Sequence, residues 1–349
     1  MDVQEAFVDT SATPDMAGVI ERTGTVFQLA GQHALPFLVS YEASQTGDHA
    51  LHAPLVPSLP AQAEKFTKTT FAATGQPGFA AAAQGHTVTH YALLGAETDV
   101  CVLQTVLGLR ELGLDVLLQT DAVFSEETHT SPALRRMQQA GVRLVTLDDV
   151  VGFAAAPETL PAHAIQAVTR VRPLEMGVVL NAFGSGADLD GDPLDPQKTA
   201  RLKELLLISE WFELPVFVAD PAAGLPAELA DNYWGTLLPL SAISTSAVTQ
   251  LTVAGTDAGI DGALGAWMDG RQVFVMEDAL LTTGSPGAQE TALAAFYEQG
   301  LVPTTYKTFW YEMTQSVDTA QWPSSTWTAK IDEYWDITQA PEDLPSIPE

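Results

Sequence analysis

Cys101 is the chain's single cysteine, and its setting decides whether the sulfur can do chemistry. It lies in HYALLGAETDVCVLQTVLGL (residues 90–109), which reads as a strand, a tight turn at Gly95 and then a helix. A sulfur at the start of a helix meets unpaired backbone N–H groups and the positive end of the helix dipole. Both favour the thiolate, which is the reactive form of cysteine. The same N–H groups can hold the oxyanion that forms when a carbonyl is attacked. The pattern therefore points to nucleophilic attack on an acyl carbon. Taken alone it is weak, because a lone cysteine in an apolar stretch is more often inert packing. A thiol redox role lacks a second cysteine.

The elements that must position Cys101 read as alternating strands and helices. Leu35–Tyr41, His90–Leu94, Asp115–Leu118 and Val142–Thr146 are short runs rich in Val, Leu or Phe, as buried parallel strands are. Val102–Leu112 and Pro132–Ala140 are helical in pattern, the second with Ser131 as N-cap and Pro132 in the first turn. Such alternation implies βαβ units and a parallel sheet covered by helices on both faces, a three-layer α/β/α sandwich of Rossmann-like type.

A chain of 349 residues has room for two domains of about 150 residues each. The second half repeats the order of the first. LPFLV at 35–39 matches LPVFV at 214–218, LLGAETDVC at 93–101 matches TVAGTDAGID at 252–261, and TDAVFS at 120–125 matches EDALLT at 277–282. We read a tandem duplication with domains at 1–155 and 172–318. Pro157 and Pro161 break the periodicity between them. Residues 319–349 read as an amphipathic helix, with Trp327, Ile331, Tyr334 and Trp335 on one face, followed by a Pro-rich acidic tail.

The formal net charge is −29, with only 15 Lys and Arg. A surface this acidic repels phosphates and anionic lipid, so nucleic-acid and membrane partners are poor readings. No apolar run reaches the roughly 18 residues of a transmembrane helix. One cysteine and no signal-like N-terminus fit a cytoplasmic protein with a small-molecule substrate. The sequence leaves a homo-oligomer open.

GAETDVC at 95–101 resembles the nucleophile turn of the isochorismatase-like superfamily of cysteine hydrolases. Two further marks of that family stand in order along the first half. One is Asp2-Val3-Gln4 followed by Phe7; the other is Lys65, six residues before Phe71 and nine before Thr74. The helix SPALRRMQQAG and the strand VRLVTLDDV fit the family's C-terminal end. The resemblance covers residues 1 to about 153 by motif and the second half only as architecture.

The resemblance implies a triad. Asp2 acts as general base and then as acid toward the leaving amine. Lys65 keeps Asp2 ionised and favours the thiolate. Cys101 forms a thioester that water hydrolyses. The oxyanion is held by the backbone N–H groups of Glu97 and Cys101, next to an Ala96–Glu97 peptide that is usually cis in the family. Phe7, Ser40, Tyr41 and Glu42 would line the substrate pocket, at the C-terminal edge of the sheet. No cofactor is implied. A metal is not expected, because Asp48, His49, His52, His86 and His90 lack the spacing of the metal-binding amidases of the superfamily.

The implied reaction is cleavage of a small amide-type C–N bond. The rival reading is an inactive binding or scaffold protein. The second half has Asn181 where the first has Asp2, Asp261 in place of Cys101, and no lysine between Lys203 and Lys307, so it reads as a degenerate copy. One departure stands out. Asp2 should end a buried strand of four to six apolar residues, yet only Met1 precedes it, so this first strand reads as truncated.

Overall fold

The computed structural model describes residues 1–43, 50–88, 90–160, 167–181, 196–230, 233–256, 270–281 and 286–315. The chain divides into two compact units, one of residues 1–168 and one beginning at Thr169. The amphipathic helix expected in 319–349 lies outside the described residues, as do Asp48, His49 and Asp261.

In the first unit the helices are α1 (Glu5–Asp9), α2 (Met16–Gln32), α3 (Pro77–Gly85), α4 (Leu103–Glu111), α5 (Ser131–Gln139) and α6 (Leu147–Ala155). The strands are β1 (Leu38–Glu42), β2 (Glu64–Lys68), β3 (His90–Ala96), β4 (Asp115–Phe124) and β5 (Arg143–Val145). These strands pair in parallel, β1 with β2 and β3-β4-β5 as a separate ladder, and one isolated antiparallel bridge joins Gln4 to Leu51. Strand alternation sends successive side chains to opposite faces. Leu93, Val116 and Leu118 pack with Phe79 of α3, Val106 and Leu107 of α4 and Met137 of α5. Leu94, Ala96 and Leu117 pack on the other face with Val26 and Phe27 of α2 and Val150 of α6. Helix, sheet, helix is the layering that the alternation of elements implied.

Three local expectations change. The helix expected from Pro132 begins at Ser131, its N-cap is Thr130, and neither side chain caps it. The helix at Cys101 opens with one π turn, Thr98–Val102, before α4. The strand β2 has no apolar pattern to announce it, because Glu64-Lys65-Phe66-Thr67-Lys68 is mostly polar. It is an edge strand, where polar side chains are ordinary.

Among the described residues, Met1 and Asp2 stand between β1 and β3. The Met1 amine donates to the Leu94 carbonyl at 3.0 Å and Ala96 N–H donates to the Met1 carbonyl at 3.1 Å. Asp2 N–H donates to the Ser40 carbonyl at 3.1 Å. Gly95 makes this approach feasible. Its φ is +113°, and a Cβ there would lie 1.9 Å from the Met1 carbonyl oxygen.

The second unit has a continuous six-stranded parallel sheet. Its strands are β6 (Met176–Asn181), β7 (Val216–Val218), β8 (Leu237–Pro239), β9 (Gln250–Thr256), β10 (Gln272–Leu281) and β11 (Val302–Thr304), in the spatial order β11-β10-β9-β6-β7-β8. Helix α7 (Pro196–Trp211) covers one face together with α10 (Tyr306–Gln315), which follows α8 (Ala227–Ala230) and α9 (Pro286–Glu298) in the chain. The other face carries α9, through Leu293 and Phe296.

Candidate active site

Three segments bring ionisable groups to one point at the C-terminal ends of β1, β2 and β3. Asp2, Lys68 and Cys101 are each at most 2% exposed. The Lys68 ammonium lies 3.0 Å from an Asp2 carboxylate oxygen, 2.5 Å from Glu42 Oε2 and 3.4 Å from Cys101 Sγ. The thiol donates to Glu42 Oε2 at 3.5 Å. Asp2 Oδ1 accepts a hydrogen bond from Ser40 Oγ at 2.8 Å, and Oδ2 is the oxygen that faces Lys68.

The lysine at this point is Lys68, which corrects the sequence expectation of Lys65. The reason is strand parity. In β2, Phe66 and Lys68 turn inward while Lys65 and Thr67 are exposed. Phe66 packs edge-on against Phe79 with ring centroids 5.4 Å apart, inside the roughly 4.5–7 Å range of aromatic pairs. Lys68 pairs in register with Glu42 at the C-terminal end of β1, whereas Lys65 pairs with Val39 in the strand's first half. Spacing to Phe71 and Thr74 favoured Lys65. The apolar Phe66 two residues before Lys68 was the signal that would have selected the right one.

Gln4 explains why its residue type follows Asp2 at this interval. Its side chain accepts from Glu42 N–H at 2.6 Å and donates to the Glu42 carbonyl at 3.2 Å. It thereby clamps the end of β1 and fixes the backbone that carries Glu42. Of the other residues expected in the pocket, Ser40 holds Asp2, Tyr41 is buried in the core beside α2, and Phe7 is half-buried on α1. Glu42 contacts both Lys68 and the sulfur rather than merely lining the site.

The turn before Cys101 has a cis Ala96–Glu97 peptide. Cys101 sits in the opening π turn, so its N–H belongs to the end of the helix where backbone donors outnumber intrahelical acceptors. Glu97 is buried, and its side chain accepts from Glu126 N–H at 3.4 Å. Asp99 of the same turn accepts from Ser125 Oγ at 2.6 Å, which ties the turn to the end of β4.

The electrostatics are those of a buried cluster with one cation. Burial pushes the Cys101 thiol well above its ordinary range; Asp2 adds to this, Lys68 opposes it, and Glu42 and Glu97 add further. Burial alone would lower the Lys68 ammonium, but the sulfur, Asp2 and Glu42 together outweigh burial and raise it. The thiol is therefore protonated at rest and the lysine charged. Asp2, Glu42 and Cys101 also have the residue types and spacing of a metal site, with ligand atoms within 4.8 Å of one another. The ammonium of Lys68 stands at hydrogen-bond range of all three and supplies the positive charge there. The histidines expected to be scattered pair elsewhere: His52 with Glu5, His86 with Glu64 and His90 with Asp115.

Among the described residues no helix is long and apolar enough to cross a membrane. Comparison with known proteins matches residues 1–149 to the Isochorismatase domain. A 60-residue stretch is 42% identical to a secreted isochorismatase effector, Isc1, of Phytophthora sojae, and a stretch of that length is 40% identical to isochorismatase family protein 1B of Dictyostelium discoideum. Each match covers 17% of this chain and 29% of the relative, so the chain spans under a third of those relatives' length. Among solved structures, the MAR1 ribonuclease of Caenorhabditis elegans is 25% identical with a TM-score of 0.40, covering 49% of this chain and 93% of that one. The nicotinamidase PncA of Bacillus subtilis is 15% identical with a TM-score of 0.36, covering 41% and 95%. The parallel strands and helical layers of the first unit agree with the match of residues 1–149 to the Isochorismatase domain.

Proposed function

We propose that the first unit is a cysteine hydrolase of small amide-type C–N bonds, with Asp2, Lys68 and Cys101 as its triad. The observation that carries this reading is the Lys68 ammonium 3.0 Å from Asp2 and 3.4 Å from a sulfur at the opening turn of a helix.

The chemistry follows from the charges. As the sulfur attacks the substrate carbonyl, its proton passes to Asp2, which Ser40 and Lys68 hold in place. A new S–C bond forms and the carbonyl π bond opens onto oxygen. The backbone N–H groups of Glu97 and Cys101 receive that oxyanion. Collapse breaks the C–N bond, and Asp2 returns the proton to the departing amine. Water then adds to the thioester with Asp2 as base, which releases the acid and restores the thiol. Lys68 compensates the charge that moves between sulfur and carboxylate. Asp2 is assigned the proton transfers because it is fully buried and doubly held, whereas the Glu42 side chain is 25% exposed.

In this reading the second unit is a non-catalytic copy. Its β6 ends in Asn181, an amide that cannot take a proton from a thiol.

One observation favours the rival, a non-catalytic scaffold: the thiol is buried and raised by its surroundings. The test separates the two. Ammonia or amine release is measured over a panel of nicotinamide, ureido, carbamoyl and simple carboxamide substrates, beside Cys101→Ala. Release that vanishes in the variant supports the hydrolase. No release from any substrate, with iodoacetamide labelling no faster than that of the denatured chain, favours the scaffold.

A further inference from the structure

Of the four ionisable groups that meet at the candidate active site, Glu42 alone has appreciable exposed surface. Its side chain is 25% exposed, whereas those of Asp2 and Lys68 are fully buried and Cys101 is 2% exposed. We propose that Glu42 selects the charge of the substrate: the site takes an amide that bears a cationic group, an alkylammonium or guanidinium, close to the scissile carbonyl, and turns away carboxylates of the same size. This rests on the reading of Cys101 as the nucleophile of an amide hydrolase.

The geometry puts the carboxylate within reach of such a group. Glu42 Oε2 accepts from the thiol at 3.5 Å and from the Lys68 ammonium at 2.5 Å. A carbonyl carbon poised for attack lies roughly 3–3.5 Å from the sulfur, and so within about 7 Å of that oxygen. A nitrogen donating to the carboxylate is then about three or four bonds from the carbonyl carbon, given a donor distance of about 2.9 Å. The backbone that carries Glu42 is held on two sides. Gln4 bonds its N–H and its carbonyl, at 2.6 and 3.2 Å, and the next residue, Ala43, donates its N–H to the Lys68 carbonyl at 2.9 Å. The carboxylate is therefore placed before a substrate arrives, and little ordering is left to oppose binding.

The charges decide the sign. Once the sulfur's proton has passed to Asp2, Lys68 balances the thiolate, and the Glu42 carboxylate is the remaining anion of the four. Lys68 has no exposed surface, so an incoming group meets the carboxylate and not the ammonium. Glu97, buried in the turn before Cys101, adds to the same sign. At about 6 Å a unit charge changes the encounter with a charged substituent by roughly threefold to tenfold, across effective dielectrics of about 80 to 40. In a cation-to-anion ratio the effect enters twice.

The test uses the full chain and three methanethiosulfonates of similar size: the cationic ethyltrimethylammonium, the neutral propyl and the anionic ethylsulfonate reagents. Each transfers its thioalkyl group to a thiolate and releases methanesulfinate. Cys101 is the chain's single cysteine, so all labelling reports this sulfur. The readout is the cation-to-anion rate ratio, normalised to that of 2-mercaptoethanol; changes in thiol ionisation cancel in it. The ratio should exceed one in the native chain and fall about tenfold in Glu42→Gln. Glu42→Asp keeps the charge and should retain most of the preference. Glu21→Gln removes one charge from the exposed side of α2 and should leave the ratio unchanged. A merely structural role for Glu42 would move all three reagents alike, and an unchanged ratio in Glu42→Gln would overturn the proposal. Turnover is then compared on β-alaninamide, propanamide and malonamate, which are cationic, neutral and anionic at matched length. kcat/KM should rank in that order, and Glu42→Gln should compress the ranking. Malonamate ranking first would overturn the charge selection and leave the hydrolase intact. No turnover of any amide, with the labelling ratio still dependent on Glu42, would end the hydrolase reading while the charge selection at the sulfur stood.

Discussion

The two units share a strand order around one central position and differ in what stands there. In the second unit β6 fills the centre, and the sheet runs unbroken from β11 to β8. In the first, two residues bridge β1 and β3, and the second of them carries a buried carboxylate. Strand pairing and charge placement are thus distributed differently. The second unit carries apolar Val178, Val179 and Leu180 at its centre, each at most 1% exposed. The first carries Asp2, Lys68 and Cys101 with a single ammonium among them. A continuous core supplies stability. A buried cluster costs desolvation, which its mutual contacts must offset.

The largest effect should come from removing the groups that the second unit lacks. Cys101→Ala should abolish amide hydrolysis, a loss on the order of 10⁴-fold or more, and Asp2→Asn should cost about 10³-fold in kcat. Both are measured as product release on whichever amide the panel identifies. Asp2→Asn with retained turnover would move the base to Glu42, whose carboxylate already accepts from the thiol.

Lys68 and Lys65 offer the next contrast, because they lie three residues apart on one strand and only one turns inward. Lys68→Ala should slow iodoacetamide labelling of Cys101 by about 10²-fold, since it removes the cation that favours the thiolate. Lys65→Ala should leave the rate unchanged. Circular dichroism checks that each variant is folded. Equal slowing in both would dissolve the distinction that strand parity draws.

That contrast also marks how much of the site was legible. The α/β alternation, the GAETDVC turn and the Asp-x-Gln pattern are readable, since each is local and its residue types are uncommon in combination. β2 is not, because an edge strand written EKFTK has no apolar run to announce it. Without that strand its parity is invisible, and spacing alone selects Lys65 over the inward-facing Lys68. Glu42 was seen as a pocket residue but not as a partner of Lys68. Nothing local links positions 26 residues apart until β1 and β2 are paired in register.

Leu180→Ala tests the other half of the comparison. Leu180 lies on the central strand with its side chain among the buried residues of the helix-covered face. Truncation there should destabilise the second unit by about 3 kcal/mol, read from the denaturant midpoint at constant slope. Labelling of Cys101 in the folded protein should not change. A parallel loss of thiol reactivity would show that the two sheets are energetically coupled.

Glu42→Gln should produce the smallest change, and its sign follows from the charges around the sulfur. Glu42 is one of the groups that raise the thiol, and it also holds Lys68 at 2.5 Å. Removing its charge takes away one repulsive neighbour and leaves Lys68 fewer anionic partners besides Asp2 and the sulfur. Both changes stabilise the thiolate, so the pH profile of Cys101 labelling should move to lower pH. Stability should respond in the same direction. A thiol raised in the folded state and ordinary in the unfolded chain stays protonated in both at neutral pH. Above about 8.5 only the unfolded chain ionises, so stability declines as pH rises through that window. With Glu42→Gln the folded thiol lies nearer the unfolded one, and the decline should be shallower. A profile that moves to higher pH would mean that Glu42 serves chiefly to seat Lys68 against the sulfur, making the lysine's position and not the net charge the factor that sets thiol reactivity.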